Sequence, residues 1–423
     1  MLEIKQVTAD GFVQLVKNMR GRSDGINAET ERVASLILED VRLRGYEEVK
    51  EYSLKFVGVE PYELSKADLD RAADQCPKEL YHALERAAEN IMDYQKRLVP
   101  KSDIWDVPGG RVGRVVRPLD RVGLYVPGGQ ATYPSTALMT IIPAKAAGVG
   151  VVVVVTPPTK NLSAKVMAAV KIAGADRVIA VGGMPDIAAL TFGAGFIPRV
   201  DKLAGPGNAY VATAKRLAYG KVDIDMVAGP SEIVVVADGR ADPVHAAADM
   251  LSQAEHDPLA CAVLLTDSME LAKAVDLELE RQTAYLERSD IIRASLTGYG
   301  AIVVCESIED ACGLANEIAP EHVELMVENA ADYMPLVRNA GALFLGGSSP
   351  EPLGDYMAGP CHVLPTAGTA RFFSPLSSES FVKAMSVIEY TESGLGDVAE
   401  DIIRIAKAEG LTAHANSIEV RYK

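Results

Sequence analysis

The sequence predicts an α/β protein built from two parallel-sheet units, in tandem or one inserted in the other. Three observations lead there. From about residue 113, short β-branched runs end in Gly/Pro loops and are followed by segments of helical period. The same alternation resumes after about residue 230. The first hundred residues carry helical patterns instead. Repeated strand–loop–helix is the pattern of a parallel sheet covered by helices, because a parallel crossover needs a helix between its strands.

Taken in order, Asn27 is placed to cap a helix whose apolar residues Val33, Leu36, Ile37 and Val41 keep helical spacing and which Gly45 ends. A second helix is expected from Pro77 to Leu98, with Leu80, Leu84, Ala87, Ile91, Tyr94 and Leu98 on one stripe. His82 lies off that stripe and reads as a solvated surface residue. Then RVGLYVPGG leads to STALMTIIPAKAAG, VVVVVTPP to SAKVMAAVKIAG, RVIAVGG to PDIAALTFG, and VDKLAGPGN to AYVATAKRLAYG, with DIDMVAGPSE following. EIVVVAD, CAVLLTD, AIVVC and ALFLGG continue the pattern. The longest apolar run, GVGVVVVV at 148–155, is too short to cross a bilayer and reads as a buried strand. The expected organisation is two Rossmann-like parallel-sheet α/β domains with a helical N-terminal region. An N-terminal arm spans 1–20, a larger catalytic unit spans 21–124 plus 230–376, an inserted unit spans 125–229, and a C-terminal tail spans 377–423.

Composition narrows the function. The chain has 423 residues, 24% of them charged, and a formal net charge of −16. An acidic chain without a Lys/Arg block disfavours nucleic acid and anionic membrane surfaces as partners, and suits a cationic or neutral small substrate. The five cysteines are scattered and form no CxxC pair, so disulfide frameworks and cysteine–zinc modules are not expected. With no signal pattern in MLEIKQVTAD, a cytoplasmic location is expected.

No GxGxxG stands in a strand-to-helix turn, so the usual dinucleotide fingerprint is absent. GPGN at 205–208 and YVPGG at 125–129 are either ligand loops or tight turns that need positive φ. Of the six histidines, His245 follows Asp242 and Pro243 and reads as structural or exposed. SQAEHDP places Gln253 and His256 one helical turn apart, so both side chains enter the same space. Zinc takes imidazole nitrogen and carboxylate oxygen, usually in fours, and Gln253, His256, Asp355 and His414 are one candidate donor set. The alternative is a hydrogen-bonded polar cluster at helix ends. In PEH, Glu321 and His322 can divide proton-transfer roles. AGPSE places Ser231 and Glu232 after a Gly-Pro turn but lacks the GxSxG of a nucleophile elbow.

In chain order, YVPGG…YPSTALM, GPGNAYV, DIDMVAGPSE, LSQAEHD, IAPEHVEL, GDYMAGPCHVLPTAGTARF, FVKAMSVIEY and AEGLTAHANS resemble the histidinol dehydrogenase family over roughly residues 25 to 420. The resemblance implies oxidation of L-histidinol to L-histidine through histidinal, in the last steps of histidine biosynthesis. It implies NAD as oxidant, two per turnover, one zinc per subunit, and a homodimer. The zinc ligands would be Gln253, His256, Asp355 and His414, and the acid/base pair Glu321 and His322. Ser231, Gln253, His256, His322, Asp355, Glu409 and His414 would contact substrate or its zinc, with His362 also at the pocket. Tyr125 and Asn208 match NAD-contacting positions, which makes 125–229 the NAD-binding unit. The tail bearing Glu409 and His414 would serve dimerisation and complete the partner's site.

Two positions depart from the family pattern. Pro185 stands where a Gln usually contacts NAD, which implies weaker or re-routed cofactor binding. Cys361 replaces the Asn usual before the pocket histidine, as a spacer or as an oxidation-sensitive thiol. Rival readings are a paralogue acting on another amino alcohol or diol, a zinc hydrolase using Glu321, and a non-catalytic dimeric binding protein.

Overall fold

The structure is a computed structural model describing residues 2, 4–6, 16–17, 19, 21, 28–127, 133–158 and 162–422. The cap expected at Asn27 and the glycines at 128–129 fall outside these residues. Strands are numbered along the chain. One six-stranded sheet runs in the order β2 (Tyr62–Glu63), β7 (Arg177–Ala180), β6 (Val151–Thr156), β5 (Arg121–Tyr125), β8 (Lys202–Ala204), β9 (Asp223–Ile224), and is parallel except for β2. The other runs β1 (Ile4–Gln6), β12 (Ala301–Val304), β11 (Cys261–Thr266), β10 (Glu232–Ala237), β13 (His322–Met326), β14 (Ala342–Leu345), parallel throughout. Leaving aside the edge strands β1 and β2, both sheets have their strands in the sequence order third, second, first, fourth, fifth. Each therefore has a topological switch point beside its first strand.

These strands are buried along most of their length because helices cover both faces. In β10 and β11 every residue is buried. On one face, Val234, Val263 and Leu325 pack with Ala311 and Cys312 of the helix Ile308–Ile318. On the other, Ile233, Val235 and Leu264 pack with Met250, Val275 and Ile292 from three further helices.

The helical N-terminal region packs differently from the expected partition. Ile37 and Val41 share a core with Val155, Ile187 and Val211, and Leu84, Ala87 and Ile91 share one with Val122, Leu138 and Val152. The helices of residues 28–98 thus pack on the 121–224 sheet, the helix Lys78–Leu98 also sharing its core with Cys361, Val363 and Leu376 and donating from Asn90 Nδ2 to the Met357 carbonyl at 2.8 Å, and β1 joins the sheet of β10 to β14. The sheet of β10 to β14 has both faces covered by its own crossover helices. The expected stripes also shift slightly. Leu36 and Tyr94 are exposed, while Gln95 is buried. Gln95 is tied there to Ser378, its Oε1 accepting the Ser378 N–H at 2.8 Å and its carbonyl accepting the Ser378 hydroxyl at 2.8 Å, while its Nε2 is buried without a partner.

A third, antiparallel sheet joins β15 (Val382–Tyr390), β4 (Gly110–Pro118) and β3 (Asp103–Val107). It continues into the helices Glu392–Ala408 and Thr412–Tyr422, which pack on each other. The arm starts at a close approach of two glycines: a Cβ on Gly109 would lie 2.7 Å from Gly394 Cα. The arm presents Trp105, Met385, Ile405 and Val420 to solvent, and Ile388 is 76% exposed. Among the described residues no helix is long and apolar enough to cross a membrane.

Candidate active site

The first strand residues of the catalytic sheet build the site. Parallel register sets Ile233 beside His322, so the Pro320–Glu321 loop lies against the start of β10. Glu321 Oε2 accepts the Glu232 N–H at 3.0 Å, and His322 Nδ1 lies 2.9 Å from the Glu232 carbonyl oxygen. One peptide residue is thereby clamped by both candidate catalytic side chains. A carbonyl oxygen can only accept, so Nδ1 carries the hydrogen and donates it. The Nε2 lone pair is left free, and Nε2 is buried with no hydrogen-bond partner. Burial pulls the His322 imidazole down to about 3, so it is neutral across the physiological range.

Around that nitrogen stand carboxyl groups. Glu351 and Asp355 lie one turn apart on the helix Glu351–Tyr356. His322 Nε2 is 4.0 Å from Glu351 Oε1, and the ligand atoms of His322, Glu351 and Asp355 lie within 4.8 Å of one another. Glu351 is fixed twice: its N–H donates to Glu324 Oε1 at 2.7 Å, and its Oε2 accepts the Ser252 hydroxyl at 3.1 Å. Ser252 precedes Gln253 on the helix Pro243–Ala254, and Gln253 is 1% exposed with an unpartnered Oε1. His256 lies near enough to His322, His362 and Glu351 to act on them electrostatically, outside the group of His322, Glu351 and Asp355 whose ligand atoms fall within 4.8 Å. His362 Nδ1 donates to the Asp355 carbonyl at 3.2 Å, and its Nε2 is 3.5 Å from Thr136 Oγ1 on the other unit.

Burial raises the pKa of Glu321, Glu351 and Asp355; Asp355 adds to the rise at Glu351, and Glu232, Asp355 and Glu351 add to it at Glu321. Burial also raises Glu324, helped by Asp249. Crowded, buried carboxyls with unpartnered atoms are a site built for a cation.

Ser231 is half-buried immediately before β10, its carbonyl accepting the Cys261 N–H at 2.9 Å. Glu409 and His414 are exposed at the end of the arm and stand outside the cluster within a single chain. Glu232, Glu324 and Glu351 had not been picked out as site residues. For Glu351 a signal was present: its spacing of four from Asp355 puts both on one helix face. Cys361 is buried, its thiol donating to the Met139 carbonyl at 3.2 Å, and burial pushes that thiol up to about 12. It is a packing residue rather than a reactive thiol.

Tyr125 and Asn208 lie at the carboxyl end of the other sheet, at its switch point between β5 and β8. Asn208 caps the helix Ala209–Ala218, its Oδ1 accepting the N–H groups of Tyr210 and Val211 at 3.1 Å each. Its amide Nδ2 is the group it has to offer a ligand. Gly205, at φ 113, approaches so closely that a Cβ would lie 2.3 Å from Tyr125 O. Pro185 fits the first turn of the helix Met184–Phe192, where a missing N–H costs nothing.

Its neighbour Asp186 is fully buried, and neither carboxyl oxygen has a hydrogen bond of normal geometry. Burial raises its pKa well above the carboxylate range. The folded chain therefore keeps a proton that the unfolded chain gives up above about pH 4, and stability falls as pH rises from there toward the folded pKa. Asp186→Ala is expected to stabilise the protein at neutral pH by about 1–3 kcal/mol. The gain should be larger in urea unfolding at pH 8 than at pH 5; equal gains at both would contradict the assignment.

Two parallel-sheet α/β units, one bearing a neutral buried imidazole among carboxyls at the amino edge of its sheet, fit an enzyme, and similarity to known proteins makes it an oxidoreductase. The chain belongs to the histidinol dehydrogenase family, whose sequence profile matches residues 20–422. It is 47% identical to the histidinol dehydrogenase of Caldanaerobacter subterraneus, covering 100% of this chain and 99% of the relative. It is 45% identical to that of Clostridium acetobutylicum, with 100% of both chains covered. The crystal structure of histidinol dehydrogenase from Elizabethkingia anophelis superposes with a TM-score of 0.93 at 32% identity, covering 99% of this chain and 98% of that one.

Proposed function

We propose that this chain oxidises L-histidinol to L-histidine through histidinal, with NAD as hydride acceptor, as a zinc-dependent homodimer. The observation that carries the reading is the His322 imidazole, buried, neutral and with Nε2 free, beside carboxyls that call for a cation. Gln253, His256 and Asp355 of one chain and His414 of its partner would hold the zinc. The donor chemistry fits: the buried, unpartnered Gln253 amide oxygen and the clustered Asp355 carboxylate are oxygen ligands of the kind zinc takes, and His256 and His414 would add imidazole nitrogen. When bound, zinc supplies a Lewis acid and an anchor for the amine and imidazole of histidinol.

His322 Nε2 then takes the carbinol proton while the carbinol hydrogen leaves as hydride to nicotinamide, giving the aldehyde. Glu321 serves the second oxidation. A cationic substrate beside Glu321, Glu351 and Asp355 favours their ionised forms, and ionised Glu321 can take a proton from the water that adds to the aldehyde. As the hydrate's remaining C–H hydrogen leaves as hydride to a second NAD, His322 Nε2, its first proton released to solvent, takes a hydroxyl proton, and the resulting acid ionises to the carboxylate. Ser231 and His362 border the space, and Glu409 from the partner's tail adds one more carboxylate toward the cationic substrate. Tyr125 and Asn208 would receive NAD, without the contact a Gln at position 185 would add.

NADH formation from histidinol, compared with simple amino alcohols and diols, tests this reading. Selective turnover of histidinol supports it. Equal turnover of other amino alcohols favours the paralogue, and ester or amide hydrolysis without NADH favours the hydrolase.

A further inference from the structure

The loop that follows β8 is gripped from behind by a buried ion pair. Lys215, in the helix Ala209–Ala218, and Asp225, just past β9, have side chains only 3% and 1% exposed, and their charged groups are in direct contact. The Gly205 N–H donates to Asp225 Oδ2 at 2.8 Å, and Lys215 Nζ donates to the Gly205 carbonyl at 2.9 Å. Both polar backbone groups of one glycine are therefore held by the two members of one pair. Asp225 Oδ1 also accepts the Met226 N–H at 2.6 Å. From Met226 the chain crosses to the catalytic unit, where the Gly229 N–H donates to Thr366 Oγ1 at 2.6 Å just before Ser231 and Glu232.

For stability alone this is a poor arrangement, since desolvating two charges offsets most of their attraction and an apolar pair of similar volume commonly does as well. An apolar pair could not, however, hold the donor and the acceptor of Gly205 together. Backbone pairing between β8 and β9 ends at Leu203 and Ile224, so the ladder no longer fixes the next turn. The ion pair takes over where the ladder stops. Asn208 follows three residues later.

We propose that Lys215 and Asp225 are positioning residues for the dinucleotide. Their pair sets the Gly205–Asn208 loop, and with it the Asn208 amide, in register with the 226–231 crossover that leads to the catalytic edge. The proposal rests on the reading that Tyr125 and Asn208 receive NAD. Neither Lys215 nor Asp225 touches the cofactor; both act through Gly205.

The test uses full-length, zinc-loaded enzyme with Lys215→Met, Lys215→Arg and the double variant Lys215→Met with Asp225→Asn. Binding is read by NADH fluorescence titration, and kinetics by varying NAD and histidinol separately. The expected result is a rise of about tenfold or more in the NADH Kd and the KM for NAD, with kcat at saturating NAD falling less than about threefold and the KM for histidinol moving little. Lys215→Arg, which keeps a charge and a donor, should fall between wild type and Lys215→Met. If Lys215→Met fails to fold, the double variant, which leaves no unpaired buried charge, gives the same readout, and the folded Lys215→Arg does so in turn. Variants that lose thermal stability but bind NADH as tightly as wild type would overturn the proposal. A wild-type enzyme that binds no NADH would instead overturn the cofactor assignment beneath it.

Discussion

Replacing His322 with alanine is expected to lower kcat for histidinol oxidation about a thousandfold, within the range that a positioned general base supplies. The side chain is prepared for this role by two features of the fold. The Glu232 carbonyl fixes the tautomer, and burial keeps the ring neutral, so the base is ready without prior deprotonation. Alanine removes the proton acceptor while leaving β13, whose pairing is made by the backbone, intact. Zinc content is the necessary second readout, because His322 also stands within ligand distance of Glu351 and Asp355. Lost turnover with retained zinc makes His322 the base. Lost zinc would reassign it as a ligand, and full turnover would remove it from the mechanism.

Mixing two inactive variants should restore activity. His322→Ala damages the body of the site, and His414→Ala damages the exposed arm. If the arm of one chain completes the site of its partner, a mixed dimer holds one site with both residues intact. Random pairing of equal amounts makes about half the dimers mixed, so about a quarter of wild-type activity is expected after subunit exchange. The structure motivates the experiment: the arm carries Ile388, Ile405 and Val420 into solvent, and His414 stands away from the cluster in its own chain. Recovery no greater than the sum of the separate variants would mean that each chain builds its site alone.

Much of this protein was legible in its residues, for reasons that differ by feature. The β-branched runs and the loops between them announced two parallel sheets because strands covered on both faces must be apolar throughout. The helix Lys78–Leu98 was readable from its stripe, yet Gln95 and Tyr94 exchanged places because a long-range bond from the Ser378 N–H holds the buried Gln95 amide oxygen, and no local pattern reports that. The packing of the N-terminal helices was hidden for the same reason, since an apolar stripe does not say which sheet it will meet. Gln253 and His256 drew attention by their spacing and donor chemistry, and the motif resemblance joined Asp355 to them as a ligand set. Glu232 and Glu324 were silent because strand glutamates gain meaning only from register: one is clamped between Glu321 and His322, and the other holds the Glu351 amide. Sheet order alone would have directed attention to the carboxyl end of the catalytic sheet, whereas His322 begins its strand.

The most direct test is a stoichiometric one on the purified protein with limiting L-histidinol and excess NAD, before and after removal of metal by a chelator. The account predicts two NADH and one histidine for each histidinol consumed, loss of turnover on chelation, and its return with added zinc. Metal-replete enzyme that forms no NADH from histidinol, or turnover untouched by complete metal removal, would contradict it.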